Sequence, residues 1–190
     1  MTADTHTEKG MRPGVTIHDA GTHQDATADL LTIRVTAGSG TGRTTMAAFD
    51  AALRSAGVAD HNLIRLSSII PPGAVVQACP PSQQLRGDFG DLLYCVYAVA
   101  YATECGDDAW SGIGWSRATD GSGCGLFVEH AGHAEDQVRS MIAMSLADMA
   151  GGRDRDFAHH DEVLSSAHCS GLPACSVVIA SYRTSGWAAK

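Results

Sequence analysis

From Asn62 to Pro72 the chain reads Asn-Leu-Ile-Arg-Leu-Ser-Ser-Ile-Ile-Pro-Pro, an apolar run with two adjacent serines inside it and a double proline at its end. The β-branched and aliphatic residues suit a strand, which the spacing predicts over Asn62 to Ile70. Proline has no N–H to give a ladder, so pairing must stop at Pro71 and the chain must turn there. Taken alone, a Ser-Ser pair in a strand is a structural feature, its hydroxyls satisfied by backbone carbonyls.

The surrounding pattern supplies strands and only two good helices. Leu31, Ile33 and Val35 alternate in a strand signal over Leu30 to Thr36, and Gly38-Ser-Gly-Thr-Gly42 reads as a turn. Met46, Phe49 and Leu53 then recur at helical spacing over Thr44 to Ala56, with Gly57 as the stop. Leu92 to Thr103 is an apolar run suited to a buried strand, and Trp110 to Arg117 and Gly125 to His130 form two more around Asp120-Gly-Ser-Gly123. Val138, Met141, Ile142 and Met149 mark a second helix over Ala134 to Ala150, closed by Gly151-Gly152, and Ala174 to Ala180 is a last core strand. Because strands and helices do not alternate strictly, the expected class is α+β, a layered arrangement rather than a doubly wound sheet. Residues 1–28 lack apolar periodicity and read as a disordered leader, leaving 29–190 as one domain.

Composition excludes several functions. A formal net charge of -8, with no run among the 13 Lys and Arg, disfavours a nucleic-acid backbone as partner. No stretch approaches the ~20 apolar residues a membrane span needs, and the N-terminus lacks a secretory pattern, so a cytoplasmic protein is expected. The six cysteines have no CxxC spacing and fit buried free thiols better than disulfides or zinc. The glycines of Gly38 to Gly42 stand too close for a phosphate-binding loop, and Arg43 replaces the required Lys. His159 and His160 are adjacent, so in a regular element they point apart, and no metal is assigned.

With its context, the serine segment resembles the pyruvoyl-dependent arginine decarboxylases. The matching residues are Ala48-Phe49-Asp50-Ala51-Ala52-Leu53, Gly57, Asn62-Leu63-Ile64, Leu66-Ser67-Ser68-Ile69-Ile70-Pro71-Pro72-Gly73, Val96-Tyr97-Ala98 and Gly125-Leu126-Phe127-Val128-Glu129. The resemblance implies a four-layer αββα sandwich and a chain that cuts itself into a β chain, 1–67, and an α chain, 68–190, with the processed protomers forming a homotrimer. It further implies a covalent pyruvoyl group made from Ser68, Ser67 becoming the new C-terminus.

The residue types fit that chemistry. The Ser68 hydroxyl would attack the Ser67 carbonyl in an N-to-O acyl shift, and a side-chain amide such as that of Asn62 would stabilise the oxyanion, an effect typically worth ~3 kcal/mol. The pyruvoyl ketone would form a Schiff base with a small-molecule amino acid, carrying the difficult chemistry itself. By resemblance Glu129 is the general acid that protonates the product α-carbon, a role that favours a buried carboxyl. By the same resemblance Asp50 would read the substrate guanidinium, with Leu53 and Ile69 expected to line the pocket for its aliphatic stem. Without the resemblance, Asp50 and Glu129 are ordinary surface charges. The expected reaction is L-arginine to agmatine and CO2, with the same chemistry on another amino acid, or an unprocessed non-catalytic relative, as alternatives.

Overall fold

The computed structural model describes residues 30–80 and 85–187, and the leader expected over 1–28 lies outside them. The described residues form β1 (Thr32–Thr41), α1 (Thr45–Ser55), β2 (Asn62–Arg65), β3 (Ile69–Ile70), β4 (Val75–Ala78), β5 (Leu92–Ala102), β6 (Asp108–Arg117), β7 (Gly125–Gly132), α2 (Glu135–Gly151), β8 (Asp161–His168) and β9 (Ala174–Ser185). The content is mixed and mostly strand, in two sheets, β2-β5-β9-β1-β4 and β3-β7-β6-β8. The second sheet is antiparallel throughout, while β2 with β5 and β1 with β4 are parallel pairs in the first.

Both sheets fill one apolar cluster. Ile33, Val35, Val96, Val178 and Ala180 enter it from the first sheet, and Ile70, Ile113, Trp115 and Phe127 from the second. The other face of the first sheet is also covered, since Leu93, Cys95, Val177 and Ile179 pack with Ala48 and Ala52 of α1 and with Ala56 at its C-cap. This double cover is why β5 and β9 read as nearly unbroken apolar runs. On the second sheet, Leu126 and Val128 pack with Val138, Ile142 and Leu146 of α2. Each fully buried Val, Leu or Ile contributes ~1.5–3 kcal/mol.

Four expectations need correction. Residues 38–41 are not a turn, because β1 runs through them to Thr41. Glycine serves close packing here rather than turning: a Cβ on Gly40 would lie 2.5 Å from Ala51 Cβ, and one on Gly38 would strike the Ala52 carbonyl. The buried face of α1 is accordingly made of alanines, and Met46, expected on the inner face, is exposed. The ends of the helix are as the sequence suggests, with the Thr44 hydroxyl accepting from the Ala47 N–H at 3.2 Å and Gly57 at φ +75° beyond the last turn.

The third correction concerns the serines. Asn62 to Ile70 is not one strand but two, β2 in the first sheet and β3 in the second, and Ser67-Ser68 lie in the crossing between them. Fourth, His159 and His160 do not point apart. Their rings lie 4.9 Å apart in a segment outside any strand, where alternation does not apply. Strands β4 and β8 carried no clear period. In β8, Val163 packs towards the other sheet and Leu164 towards α2, so neighbouring apolar residues serve opposite faces.

Candidate active site

The crossing between the sheets is tied down on both sides. Upstream, the Leu66 N–H donates to the Cys95 carbonyl of β5 at 2.9 Å. Downstream, the Phe127 N–H of β7 donates to the Ser68 carbonyl at 2.8 Å, and Ile69 pairs with Leu126. Between these anchors Ser68 takes φ +65°, in the left-handed region. Among the described residues only Asp60, at φ +67°, shares that state without being glycine. Such a conformation costs ~1–3 kcal/mol and persists only where the surroundings impose it.

The strained serine meets a carboxylate. Glu129 lies two residues beyond Phe127 on β7, and the Ser68 hydroxyl donates to its Oε1 at 2.5 Å. Ser67 is exposed, Ser68 and Glu129 are half-buried, and all three line an open cleft of about 320 Å³ with His130, Ser145 and Met149. The cleft floor is stiff because Phe127 packs edge-on between Trp115 and Tyr182, each ring centroid 6.1 Å away. The Tyr182 hydroxyl donates to the Ile69 carbonyl at 2.9 Å, fixing the residue after the serine. Burial, then the nearby Glu129 charge, pushes the Tyr182 phenol well above its ordinary range, so it stays a donor. His130 faces Ser145 of α2, Nε2 to Oγ 2.8 Å, and burial lowers its pKa against an opposing pull from Glu129.

The remaining expected site residues lie elsewhere in the protomer. Asp50, Leu53 and Asn62 line a second cleft, of about 270 Å³, together with Asp60, His61 and Phe89. Asp50 is exposed on α1 and pairs with Arg54 one turn on, 2.6 Å between Oδ2 and Nη1. The Asn62 amide donates to the Gly90 carbonyl at 2.7 Å. Because β2 sets Asn62 opposite Leu92 and Arg65 opposite Cys95, Asn62 sits ~10 Å of strand before the anchored crossing. Within one chain it is not beside the Ser67 carbonyl. Ile69 is half-exposed and borders a third hollow, with Cys124 and Arg153. Among the described residues no three His, Cys, Asp or Glu gather as metal ligands, and no helix is long and apolar enough to cross a membrane.

Two useful groups had weak sequence signals. Tyr182 continues the inward alternation of Val178 and Ala180, so extending the last strand by two residues would have found it. Phe89 is a lone aromatic in Gly-Asp-Phe-Gly-Asp, a turn composition that gives it no strand or helix to pack within.

A serine held at positive φ at the joint of two sheets, its hydroxyl on a carboxylate, marks a mixed helix-and-strand protein, mostly strand, with a candidate nucleophile site. The family model for pyruvoyl-dependent arginine decarboxylase matches residues 32–185. A pyruvoyl-dependent arginine decarboxylase of Halobacterium salinarum is 36% identical over 155 residues, 80% of this chain and 94% of the relative. That of Methanocaldococcus jannaschii is 36% identical over 115 residues, 58% of this chain and 67% of the relative. The chain belongs to the pyruvoyl-dependent arginine decarboxylase family, a family of carboxy-lyases.

Proposed function

We propose that the chain cuts itself between Ser67 and Ser68, converts Ser68 into a pyruvoyl group and uses it to decarboxylate L-arginine to agmatine and CO2. The observation that carries this reading is Ser68, held at φ +65° with its hydroxyl 2.5 Å from Glu129. The left-handed conformation raises the energy of the uncut chain, and Glu129, in contact with the hydroxyl, would take its proton. Oγ then bonds to the Ser67 carbonyl carbon, the Ser67–Ser68 C–N bond breaks, and the nitrogen leaves as an amine. Loss of the Ser68 α-proton expels the Ser67 carboxylate, and water replaces the nitrogen as ammonia departs.

The residues around Ser68 fit the group so made. The Phe127 N–H holds the carbonyl of residue 68, and Tyr182 holds the next carbonyl along. When present, a pyruvoyl carbonyl supplies an electrophile for the substrate amine and a sink for the electrons freed by CO2 loss. Glu129 remains beside it and returns a proton to the product α-carbon. Asp50 offers a carboxylate to the guanidinium, and Leu53 lies beside it in the same cleft.

The split of these residues between two clefts supports completion of the site by a second copy, as a homotrimer of processed protomers provides. The clusters joining α1, the two sheets and α2 support the order of a four-layer αββα sandwich. Six free thiols favour the reducing cytoplasm.

Intact-mass measurement of the purified protein tests the cut, with chains 1–67 and 68–190 expected. Release of CO2 from a panel of amino acids tests the substrate. A chain that stays whole on long incubation refutes self-processing, and faster turnover of lysine, ornithine or aspartate refutes arginine.

A further inference from the structure

Phe89 presents its ring to solvent with almost no cover, at 89% exposure. An apolar side chain left so bare is common enough singly, but the loop beneath it is held firmly. The Gly90 N–H donates to the Asp60 carbonyl at 2.6 Å, and the Gly90 carbonyl accepts from Asn62 Nδ2 at 2.7 Å and from Trp187 Nε1 at 2.8 Å. The Asp88 N–H donates to the Asp91 carboxylate at 2.8 Å. Asp60 bears the second left-handed φ among the non-glycine residues, so backbone strain is retained where it docks the loop. The ring is therefore placed by a pinned backbone.

It is placed over the cleft of Asp50. Phe89, Asp50, Leu53, Asp60 and Asn62 share that cleft, which brings together an aromatic face, two carboxylates and an aliphatic wall. A planar cation on an alkyl stem satisfies all three at once. The carboxylates bind the edge of the cation, the ring covers its face, and the stem lies on Leu53. A neutral chain would leave the carboxylates unused, and an anion would be repelled. Asp50 already takes a guanidinium in this way, that of Arg54 at 2.6 Å.

We propose that Phe89 is a specificity-determining residue whose ring stacks on the guanidinium of the substrate while Asp50 and Asp60 bind its edge. The inference rests on the arginine reading above and adds the residue that separates a guanidinium from an ammonium. Guanidinium is flat, weakly hydrated and stacks well, whereas the lysine ammonium is compact and strongly hydrated.

The test uses full-length protein carrying Phe89→Ala, Phe89→Leu or Phe89→Trp. Each is compared with wild type for fragment yield, mass in solution, and steady-state CO2 release from arginine. Phe89→Ala and Phe89→Leu are expected to raise KM for arginine at least ~5-fold, the scale of a lost cation–π contact, with kcat held within ~2-fold. Phe89→Trp should keep the wild-type KM. Fragment yield should not move, because Phe89 lies outside the serine cleft, and mass in solution should stay at the wild-type value. An active wild type with an unchanged KM in Phe89→Ala overturns the inference alone. So does Phe89→Leu matching wild type, which makes the ring mere apolar bulk, or a changed mass in solution, which makes it a contact between copies. A processed wild type inert towards arginine overturns the arginine reading and this inference together.

Discussion

Replacing Glu129 by glutamine separates the shape of the crossing from its chemistry. Glutamine has nearly the same volume and keeps an oxygen for the Ser68 hydroxyl, so the 2.5 Å contact has a neutral substitute and the half-buried site stays filled. What is lost is the ability to accept the proton as Oγ attacks Ser67. A positioned general base contributes ~10²–10⁴-fold, or ~3–5 kcal/mol of barrier. Wild-type and Glu129→Gln protein, purified quickly and incubated side by side, would be sampled by denaturing gel and intact mass. The variant should accumulate as the uncut chain with an unaltered thermal midpoint, cleaving ~10²–10⁴ times more slowly. Glu129→Asp should fall between the two, since a carboxylate remains but withdraws by one methylene. Cleavage of Glu129→Gln at the wild-type rate would refute the role given to the carboxylate and leave backbone strain as the sole driver.

Four further outcomes follow from the geometry. Ser68→Ala and Ser68→Gly both lack the hydroxyl and should stay uncut, but at φ +65° the glycine variant should be the more stable by about 1 kcal/mol in urea unfolding. Gly40→Ala should lose ~1–3 kcal/mol in the same assay, because its Cβ would stand 2.5 Å from Ala51 Cβ. Asp50→Asn should cut normally, since Asp50 lies outside the serine cleft, yet raise KM for arginine ~10-fold or more, consistent with loss of a charge-assisted bond. Burial pushes the Cys95 and Cys175 thiols up from 9.0 to about 12 in the folded chain, so between those values the unfolded chain binds fewer protons than the folded one. Stability should therefore fall as pH rises from about 9 towards 12, by up to about 1.4 kcal/mol per pH unit for each thiol, which urea midpoints at pH 8 and 10 would show.

The parts of the fold legible from sequence were those where burial alone decides. β5 and β9 are apolar on both faces because both faces are covered, and continuity makes such strands visible. The glycines of β1 were misread because a sequence cannot say whether glycine is wanted for its φ or for its missing Cβ. Here α1 supplies the answer by lying against Gly38 and Gly40. The break after Arg65 was hidden for a related reason. Residues 63 to 70 carry no proline or glycine to mark a break, yet the bonds of Leu66 to Cys95 and of Phe127 to Ser68 tie them to two different sheets. In the site, the nearness of Ser68 to Glu129 spans 61 residues and came through resemblance rather than spacing. The ~10 Å from Asn62 to the crossing is a matter of strand register, which no motif encodes.

The position of the serines at a crossing between sheets bears on what a cut would do to the fold. A break after Ser67 severs no element, because β2 ends at Arg65 and β3 begins at Ile69. The new end at Ser67 would follow β2, paired with β5, and the new start at residue 68 would precede β3, paired with β7. The first fragment would supply β1, α1 and β2, with β1 clasped by β4 on one side and β9 on the other. Its largest fully buried side chains, Ile33 and Val35, lie in the cluster shared by both sheets. Separating the fragments would expose that cluster and unpair three strand edges, whereas cutting the chain costs only the tether. The strain at Ser68 would be released where the fold has least to lose, and the two sheets would keep holding residue 68 against Glu129 afterwards.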